Sequence, residues 1–155
     1  MASALEALHA RKIIHRDVKT QNVLLDSRGV PFLADFGLAR LLDAPGMTES
    51  GIFLGTPDYT SPEQARRQPS DERSDIYSLG IVLFEMTTGK RPFMADSREK
   101  VLHLHATATP PLPRALRPDV PDALSSIILR CLEKDPARRY QTSRSLRVAL
   151  EALHV

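Results

Sequence analysis

The residues best suited to chemistry in this chain lie in one short polar stretch. An apolar run, Ile13-Ile14, precedes the stretch, and a second run, Val23-Leu24-Leu25, follows it. Apolar runs predict buried flanks, and a polar insert between them predicts a loop that its flanks hold rigid. The polar members are His15, Arg16, Asp17, Lys19 and Asn22. This rigid loop carries a carboxylic acid, an amine and an amide within a few residues of one another. That combination predicts a catalytic segment.

A short β-hairpin is predicted directly after this loop. Residues 23–25 and 30–34 are strand candidates, and the turn composition of Asp26-Ser27-Arg28-Gly29 separates them. The segment Asp35-Phe36-Gly37 follows, and a stretch rich in Gly, Pro, Ser and Thr then runs to Pro57. A loop of that length inside a domain indicates a functional role.

The second half of the chain is predicted to be helical. Residues 74–88 are apolar nearly all round, which predicts a central helix, and Gly89 ends it. Amphipathic patterns predict further helices at 4–11, 96–106 (capped by Asp96), 122–133 and 142–153. The expected fold is therefore mainly α: a helical bundle around a central hydrophobic helix, with a small hairpin beside the catalytic loop.

Composition narrows the class of protein. The 155 residues fit one domain, and a net charge of +2 gives no reason to expect a nucleic-acid partner. No apolar run approaches the roughly 20 residues that span a bilayer, and no signal-peptide pattern opens the chain. A single cysteine, Cys131, suits a reducing compartment. We therefore expect a cytoplasmic protein without a membrane segment.

Five motifs in the right order and spacing resemble those of protein kinases. The catalytic-loop motif is His15-Arg16-Asp17-x-Lys19-x-x-Asn22, and the magnesium-binding motif is Asp35-Phe36-Gly37. The others are Gly55-Thr56 to Ser61-Pro62-Glu63 (with Ser61 where the family has Ala), Ser74-Asp75 to Gly80, and Asp135 to Tyr140. Lys19 with Thr56 is typical of the Ser/Thr branch. The residues of Ser61-Pro62-Glu63-Gln64 and of Asp135 to Tyr140 resemble those of bacterial members.

The resemblance implies phosphoryl transfer from ATP to protein substrates, with Mg²⁺ (or Mn²⁺) as the metal. Asp17 would accept the proton of the substrate hydroxyl, and Lys19 would stabilise the transferring phosphate. Asn22 and Asp35 would hold the metal, and Leu24 would lie under the adenine. Gln21 stands where arginine-directed kinases often carry an acid, so a preference for basic substrates is not implied.

The resemblance also implies supporting contacts. Phe36 would pack against His15, and Asp75 would accept hydrogen bonds from the catalytic-loop backbone. Glu63 would pair with Arg139, and Val82 and Met86 would support Leu24. Gly55 and Thr56 would belong to the substrate loop, the segment 55–63 that faces the protein substrate.

Regulation is expected in the loop before Gly55. Arg16 beside the catalytic aspartate is the pattern of kinases that are switched by phosphorylation, and Thr48 and Ser50 are the candidate acceptors. A phosphate adds roughly −1.5 to −2 charges and could pair with Arg16. The alternative is that both are ordinary polar loop residues.

Each assignment has a structural alternative. Asp17 and Asp35 could be turn carboxylates, and Asp75 could cap the central helix, a role compatible with the one above. Cys131 lies on an apolar stripe and is expected to pack. His103 and His105 are two apart on a helix, which makes them a poor metal pair, and both are expected to be solvated.

Three kinase elements have no counterpart in the sequence: the Gly-rich loop, the strand lysine and the helix glutamate. We therefore expect residues 1–155 to form the large lobe of a kinase catalytic domain only, with little or no activity without a small lobe. Three interpretations are open: part of a longer or split Ser/Thr kinase, a standalone binding or decoy module, and a nonfunctional remnant.

Overall fold

A computed structural model describes residues 1–34, 40–41 and 56–153. Helices dominate, which confirms the mainly α expectation. The helices are α1 (Ala2–His9), α2 (Pro62–Ala65), α3 (Glu72–Thr88), α4 (Arg98–Thr107), α5 (Pro113–Leu116), α6 (Asp122–Cys131) and α7 (Ser143–Glu151). The strands are β1 (Ile13–Ile14), β2 (Val23–Leu25), β3 (Pro31–Leu33) and β4 (Arg40–Leu41).

The long helix α3 lies at the centre of the fold. Asp71 caps its N-terminus by accepting the backbone N–H of Arg73 at 2.9 Å, so the helix begins two residues earlier than predicted. Gly89 ends it with φ of 74°, a left-handed conformation that glycine adopts without a Cβ penalty. Its residues from 74 to 82 are all buried, as expected for a helix that is apolar nearly all round.

Helix α6 packs closely against α3 through its predicted apolar stripe. Ile127, Ile128 and Cys131 are buried, and burial raises the pKa of the Cys131 thiol to about 12. A Cβ at Gly80 on α3 would lie 2.6 Å from the Cβ of Cys131, so only glycine permits this approach. Cys131 is therefore a packing residue, as predicted.

Helices α1 and α7 pack against each other and against α3, which brings the two ends of the chain together. Leu5 on α1 and Leu146 on α7 are fully buried. Thr142 caps α7 in a capping box with Ser145, whose backbone N–H it accepts at 3.1 Å.

The predicted hairpin is formed by β2 and β3, with Val23 opposite Leu33. Asp26 shapes the turn by accepting the backbone N–H groups of Arg28 and Val30, both at 2.8 Å. A second antiparallel pair joins β1 to β4, with Ile13 opposite Leu41. The sequence did not predict this second pairing, because two-residue strands carry no periodicity and their register depends on a distant segment.

Two expectations about α4 were wrong. The helix begins at Arg98 rather than at residue 96, because Ser97 caps it by accepting the N–H of Lys100 at 3.3 Å. His103 is exposed as expected, but His105 is fully buried. Its ring hydrogen-bonds to other elements, so it belongs to the core.

Across the ranges that the structure describes, no helix has the length and apolar content needed to cross a bilayer.

Candidate active site

The catalytic loop is fastened to the central helix by one buried carboxylate. Asp75 on α3 accepts the backbone N–H of His15 at 2.8 Å and that of Arg16 at 2.9 Å. Arg16 has φ of 68°, a conformation that costs a non-glycine residue free energy and that the two hydrogen bonds stabilise. The contacts expected of Asp75 are therefore present, and the helix cap is Asp71 instead.

His9, which the sequence analysis missed, completes the environment of Asp75. Its Nε2 lies 2.9 Å from Asp75 Oδ2, and its Nδ1 lies 2.7 Å from the hydroxyl of Ser143 at the start of α7. His9 stands four residues after Leu5 and so shares its buried face. A histidine on that apolar face was the signal that could have revealed it.

The side chains of Asp17, Lys19 and Thr56 form a closed triangle. Lys19 Nζ donates to Asp17 Oδ2 at 2.5 Å and to Thr56 Oγ1 at 3.1 Å. The Thr56 hydroxyl donates to Asp17 Oδ1 at 3.3 Å. The carboxylate of Asp17 is buried, and the triangle joins the catalytic loop to the substrate loop across 39 residues of sequence. The structure thus brings Asp17 and Lys19, the two residues predicted to be catalytic, into contact with Thr56 of the predicted substrate loop.

Asn22 is held against Asp17 in an orientation that suits a metal ligand. Its Nδ2 donates to the backbone O of Asp17 at 2.8 Å and to Oδ2 at 3.2 Å. Because the amide nitrogen donates to Asp17, the oxygen Oδ1 is the atom that can face a ligand. Mg²⁺ prefers oxygen ligands, so Oδ1 suits that ion. Among the described residues, no three His, Cys, Asp or Glu side chains cluster around a metal position. Asp35, the other predicted ligand, lies outside the described residues.

The hairpin beside the loop presents an apolar face. Leu24, the predicted adenine contact, is 45% exposed, and Phe32 opposite it in register is also 45% exposed. Of the two residues expected to support Leu24, Val82 is buried in the core and Met86 is exposed.

The substrate loop is anchored by the predicted pair of Glu63 and Arg139. Arg139 NH1 and NH2 donate to the two carboxylate oxygens of Glu63, each at 2.8 Å, and both side chains are buried. Ser74 Oγ donates to Glu63 at 2.6 Å. Burial alone would raise the pKa of Glu63, but the hydrogen bonds and charge of Arg139 hold that pKa below its ordinary value. Ser61 caps α2 by accepting the N–H of Gln64, which gives this serine a structural role.

Tyr59 is a second anchor of the substrate loop that sequence analysis missed. Its hydroxyl donates to Glu85 on α3 at 2.6 Å and lies 2.7 Å from the hydroxyl of Thr20 in the catalytic loop. Ser78 donates to its backbone carbonyl at 2.7 Å. Burial and the Glu85 carboxylate raise the pKa of Tyr59, so it stays protonated. Glu85 interrupts the apolar run that extends from Leu79 to Met86 of α3, and this was the available signal.

Several predicted residues lie outside the described ranges: Asp35, Phe36, Thr48, Ser50 and Gly55. Their roles stay predictions. His15 is fully buried, and Arg16 is partly buried.

Comparison with known proteins gives one consistent family. A family model described as protein kinase domain matches residues 1–150. Serine/threonine-protein kinase PkaA of Streptomyces coelicolor is 44% identical over 161 residues, which cover all of this chain and 29% of that protein. PknB of Mycolicibacterium smegmatis is 41% identical over 159 residues, with 99% of this chain and 25% of that protein covered. PrkC of Bacillus subtilis is 40% identical over 146 residues, with 94% and 22% covered. The chain thus spans less than a third of the length of each of these relatives.

Proposed function

The chain belongs to the protein kinase domain family, and on that premise we propose that it carries the catalytic part of a Ser/Thr protein kinase. The reaction is transfer of the ATP γ-phosphate to Ser and Thr hydroxyls of protein substrates, in the reducing cytoplasm that a lone buried cysteine suits. The observation that supports the proposal is the triangle of Asp17, Lys19 and Thr56, because it holds a buried carboxylate and an ammonium beside a hydroxyl of the predicted substrate loop.

The triangle supports a specific division of work. The substrate hydroxyl oxygen forms a bond to the γ-phosphorus while the bond from that phosphorus to the β–γ bridging oxygen breaks, and ADP leaves. Asp17 orients the hydroxyl and accepts its proton. Lys19, already oriented by Asp17 and Thr56, offsets the negative charge of the transferring phosphoryl group.

The family implies Mg²⁺, and the amide oxygen of Asn22, whose nitrogen is engaged by Asp17, suits that ion. Asn22, through Oδ1, and Asp35 would hold the ion. When bound, the metal neutralises charge on the phosphate oxygens.

We infer that the exposed apolar face of the hairpin is covered by the adenine and by a kinase small lobe. Leu24 and Phe32, which lie opposite each other on this face, are each 45% exposed, and Val30, two residues before Phe32, is 50% exposed. A contiguous apolar patch of that kind marks a binding surface. The 155-residue chain alone is therefore expected to transfer little or no phosphate.

The test supplies a small lobe to residues 1–155. The chain is fused behind the small lobe of a bacterial Ser/Thr kinase, and transfer of ³²P from γ-labelled ATP to a general protein substrate is measured. We expect Asp17-dependent labelling by the fusion, with Asp17→Asn reducing the rate on the order of 10³-fold or more. Asp96→Asn, at an exposed position 76% accessible, is the matched control and should leave the rate unchanged. A fusion that folds and binds ATP but labels nothing would refute the proposal.

We also propose that phosphorylation of the loop before Gly55 controls the activity. Arg16 adjoins Asp17, and a phosphate on Thr48 or Ser50 would offer it a charged partner. Mass spectrometry of the active fusion should find phosphate on Thr48 or Ser50. Full activity in the double alanine variant would remove the proposal.

A further inference from the structure

His105, in the last turn of α4, is a buried polar group that the proposed reaction does not yet use. Its side chain is fully buried between the rings of Tyr77 and Phe93, which meet it edge-on with centroid distances of 5.8 and 5.0 Å. Its two ring nitrogens reach different elements: Nδ1 lies 3.0 Å from the hydroxyl of Tyr77 on α3, and Nε2 lies 3.1 Å from the backbone O of Asp58.

The direction of each hydrogen bond follows from the chemistry of the partners. A backbone carbonyl only accepts, so Nε2 carries the proton and donates to Asp58 O. Burial, and then the positive charge of Lys134, lower the pKa of His105 to about 3, so the ring is neutral and Nδ1 accepts the Tyr77 O–H.

Lys134, which follows α6, completes the chain of donors. Its Nζ donates to the Tyr77 oxygen at 3.3 Å and to the backbone O of His105 at 2.8 Å. The ammonium also lies 4.3 Å from the centre of the Phe93 ring. The donors therefore run one way, from Lys134 through Tyr77 and His105 to the carbonyl of Asp58. Arg91 forms an ion pair with the Asp58 carboxylate, so Asp58 is held through its side chain as well as through its backbone carbonyl.

Asp58 is the middle residue of a 3-10 turn, Pro57–Tyr59, that forms part of the substrate loop. Thr56 caps the N-terminal end of this turn and contacts Lys19 and Asp17. His105 therefore holds this turn through the backbone O of Asp58, two residues after Thr56. A directed hydrogen bond to the turn restricts the positions that the neighbouring Thr56 hydroxyl can take.

We propose that His105 is a positioning residue for phosphoryl transfer, because its Nε2–H fixes the Pro57–Tyr59 turn and thereby the Thr56 hydroxyl against Asp17 and Lys19. The effect of His105 on phosphoryl transfer rests on the proposed kinase function. The anchoring of the Pro57–Tyr59 turn by His105 does not depend on any activity.

Two variants of similar polarity separate the donor from the bulk of the ring. In His105→Gln the amide nitrogen stands as many bonds from Cα as Nε2 does, so it can still donate to Asp58 O. In His105→Asn the side chain is shorter by one carbon and cannot reach that carbonyl, while it keeps an acceptor for Tyr77. Both variants remove the ring, so a difference between them reports the hydrogen bond.

Hydrogen exchange on the 155-residue chain tests the anchoring without catalysis. The amides of Tyr59 and Thr60 close the turn by donating to Thr56 O and Pro57 O. We expect them to exchange about tenfold faster in His105→Asn than in His105→Gln, with the β2–β3 hairpin amides unchanged as an internal control. Equal exchange in the two variants would overturn the proposal whatever the fusion does.

Activity of the small-lobe fusion tests the consequence. We expect His105→Asn to lower kcat on the order of 10- to 100-fold with the KM for ATP unchanged, and His105→Gln to restore most of that loss. A loss of ATP affinity with kcat intact would contradict a positioning role. If the wild-type fusion is inactive, the kinase proposal fails and the exchange result still decides the anchoring.

One measurement needs no variant. Nitrogen-15 NMR of the wild-type chain should show His105 as the neutral Nε2–H tautomer throughout pH 5–8, in the field of Lys134, Arg91, Tyr77 and the Asp58 carboxylate. The Nδ1–H tautomer, or titration of the ring within that range, would overturn the proposal.

Discussion

Replacing Arg139 by methionine should be among the most damaging single changes in this fold. Arg139 is 1% exposed, and its guanidinium donates twice to Glu63, each time at 2.8 Å. The guanidinium also donates to the backbone O of Glu133 at 2.8 Å and to that of Arg73 at 3.0 Å. Methionine keeps the apolar stem but leaves the Glu63 carboxylate buried without its charged partner, while the Ser74 hydroxyl still donates to it.

The magnitude follows from the unpaired charge. Removing one member of a buried ion pair costs about 3–5 kcal/mol, because the other charge is left without compensation. That is a large share of the roughly 5–15 kcal/mol that stabilises a domain. With a urea slope of about 2 kcal/mol per molar, the unfolding midpoint should fall by about 2 M.

The assay is urea unfolding of the 155-residue chain, followed by circular dichroism, with the neighbouring arginine as matched control. Arg138 is 70% exposed, and its nearest carboxylate oxygen, on Glu133, is 3.7 Å away. Arg138→Ala should cost no more than about 0.5 kcal/mol. The double variant Arg139→Met with Glu63→Gln should be more stable than Arg139→Met alone, because it leaves no buried charge unpaired.

The pH dependence gives a second, independent check. In the wild type the pKa of Glu63 is lowered, so its contribution is present above pH 4.5 and is lost only as pH falls through the lowered value. Without Arg139, burial raises that pKa above the unfolded value, and the variant then gains stability as pH falls. The stability gap between wild type and variant should therefore narrow from pH 7.5 to pH 5. A gap that stays constant, or an Arg139→Met cost equal to that of Arg138→Ala, would refute the reasoning.

Three further outcomes are expected. Gly80→Ala places a methyl group 2.6 Å from the Cβ of Cys131 and should cost about 1–3 kcal/mol, seen as a lower Tm; an unchanged Tm would show that α3 and α6 separate freely. Asp75→Asn should cost about 1.5–3 kcal/mol and speed amide exchange at Arg16 more than in the hairpin, and equal exchange at both places would contradict its anchoring role. Lowering the pH from 7.5 to 5 should destabilise the wild type by about 2 kcal/mol more than it destabilises His105→Gln. The reason is that the pKa of His105 is lowered to about 3 in the folded protein, so over this range the ring takes up a proton only in the unfolded chain. Equal pH slopes in the two proteins would contradict this last expectation.

Features that depend on local pattern were predicted well from the sequence. The stripe of Ile127, Ile128 and Cys131 repeats at helical spacing, and the hairpin turn at Asp26 has a composition that specifies it. The contact between Glu63 and Arg139 came from the family resemblance, since their separation of 76 residues gives no local signal.

Features that depend on distant partners were not predicted. The β1–β4 pairing and the ring of His9 between Asp75 and Ser143 join segments whose individual patterns are ordinary. His105 follows two residues after the exposed His103, and only the packing of Tyr77 and Phe93 decides that one is buried and the other is not. Whether a polar residue is buried depends on which residues pack around it, and the sequence alone does not show that packing.

The hydrogen bond between His9 and Ser143 spans 134 residues, and this sets an order of events during synthesis. A ribosome adds roughly 5–20 residues per second, so on the order of ten seconds pass between the emergence of His9 and that of its partner. Contacts of such long range also form late in folding, because the entropy of closing the intervening chain must be overcome first. The ring that contacts Asp75 therefore acquires its second hydrogen bond only when α7 docks. The support beneath the catalytic loop is thus complete only after residues from both α1 and α7 have been synthesised and have packed together.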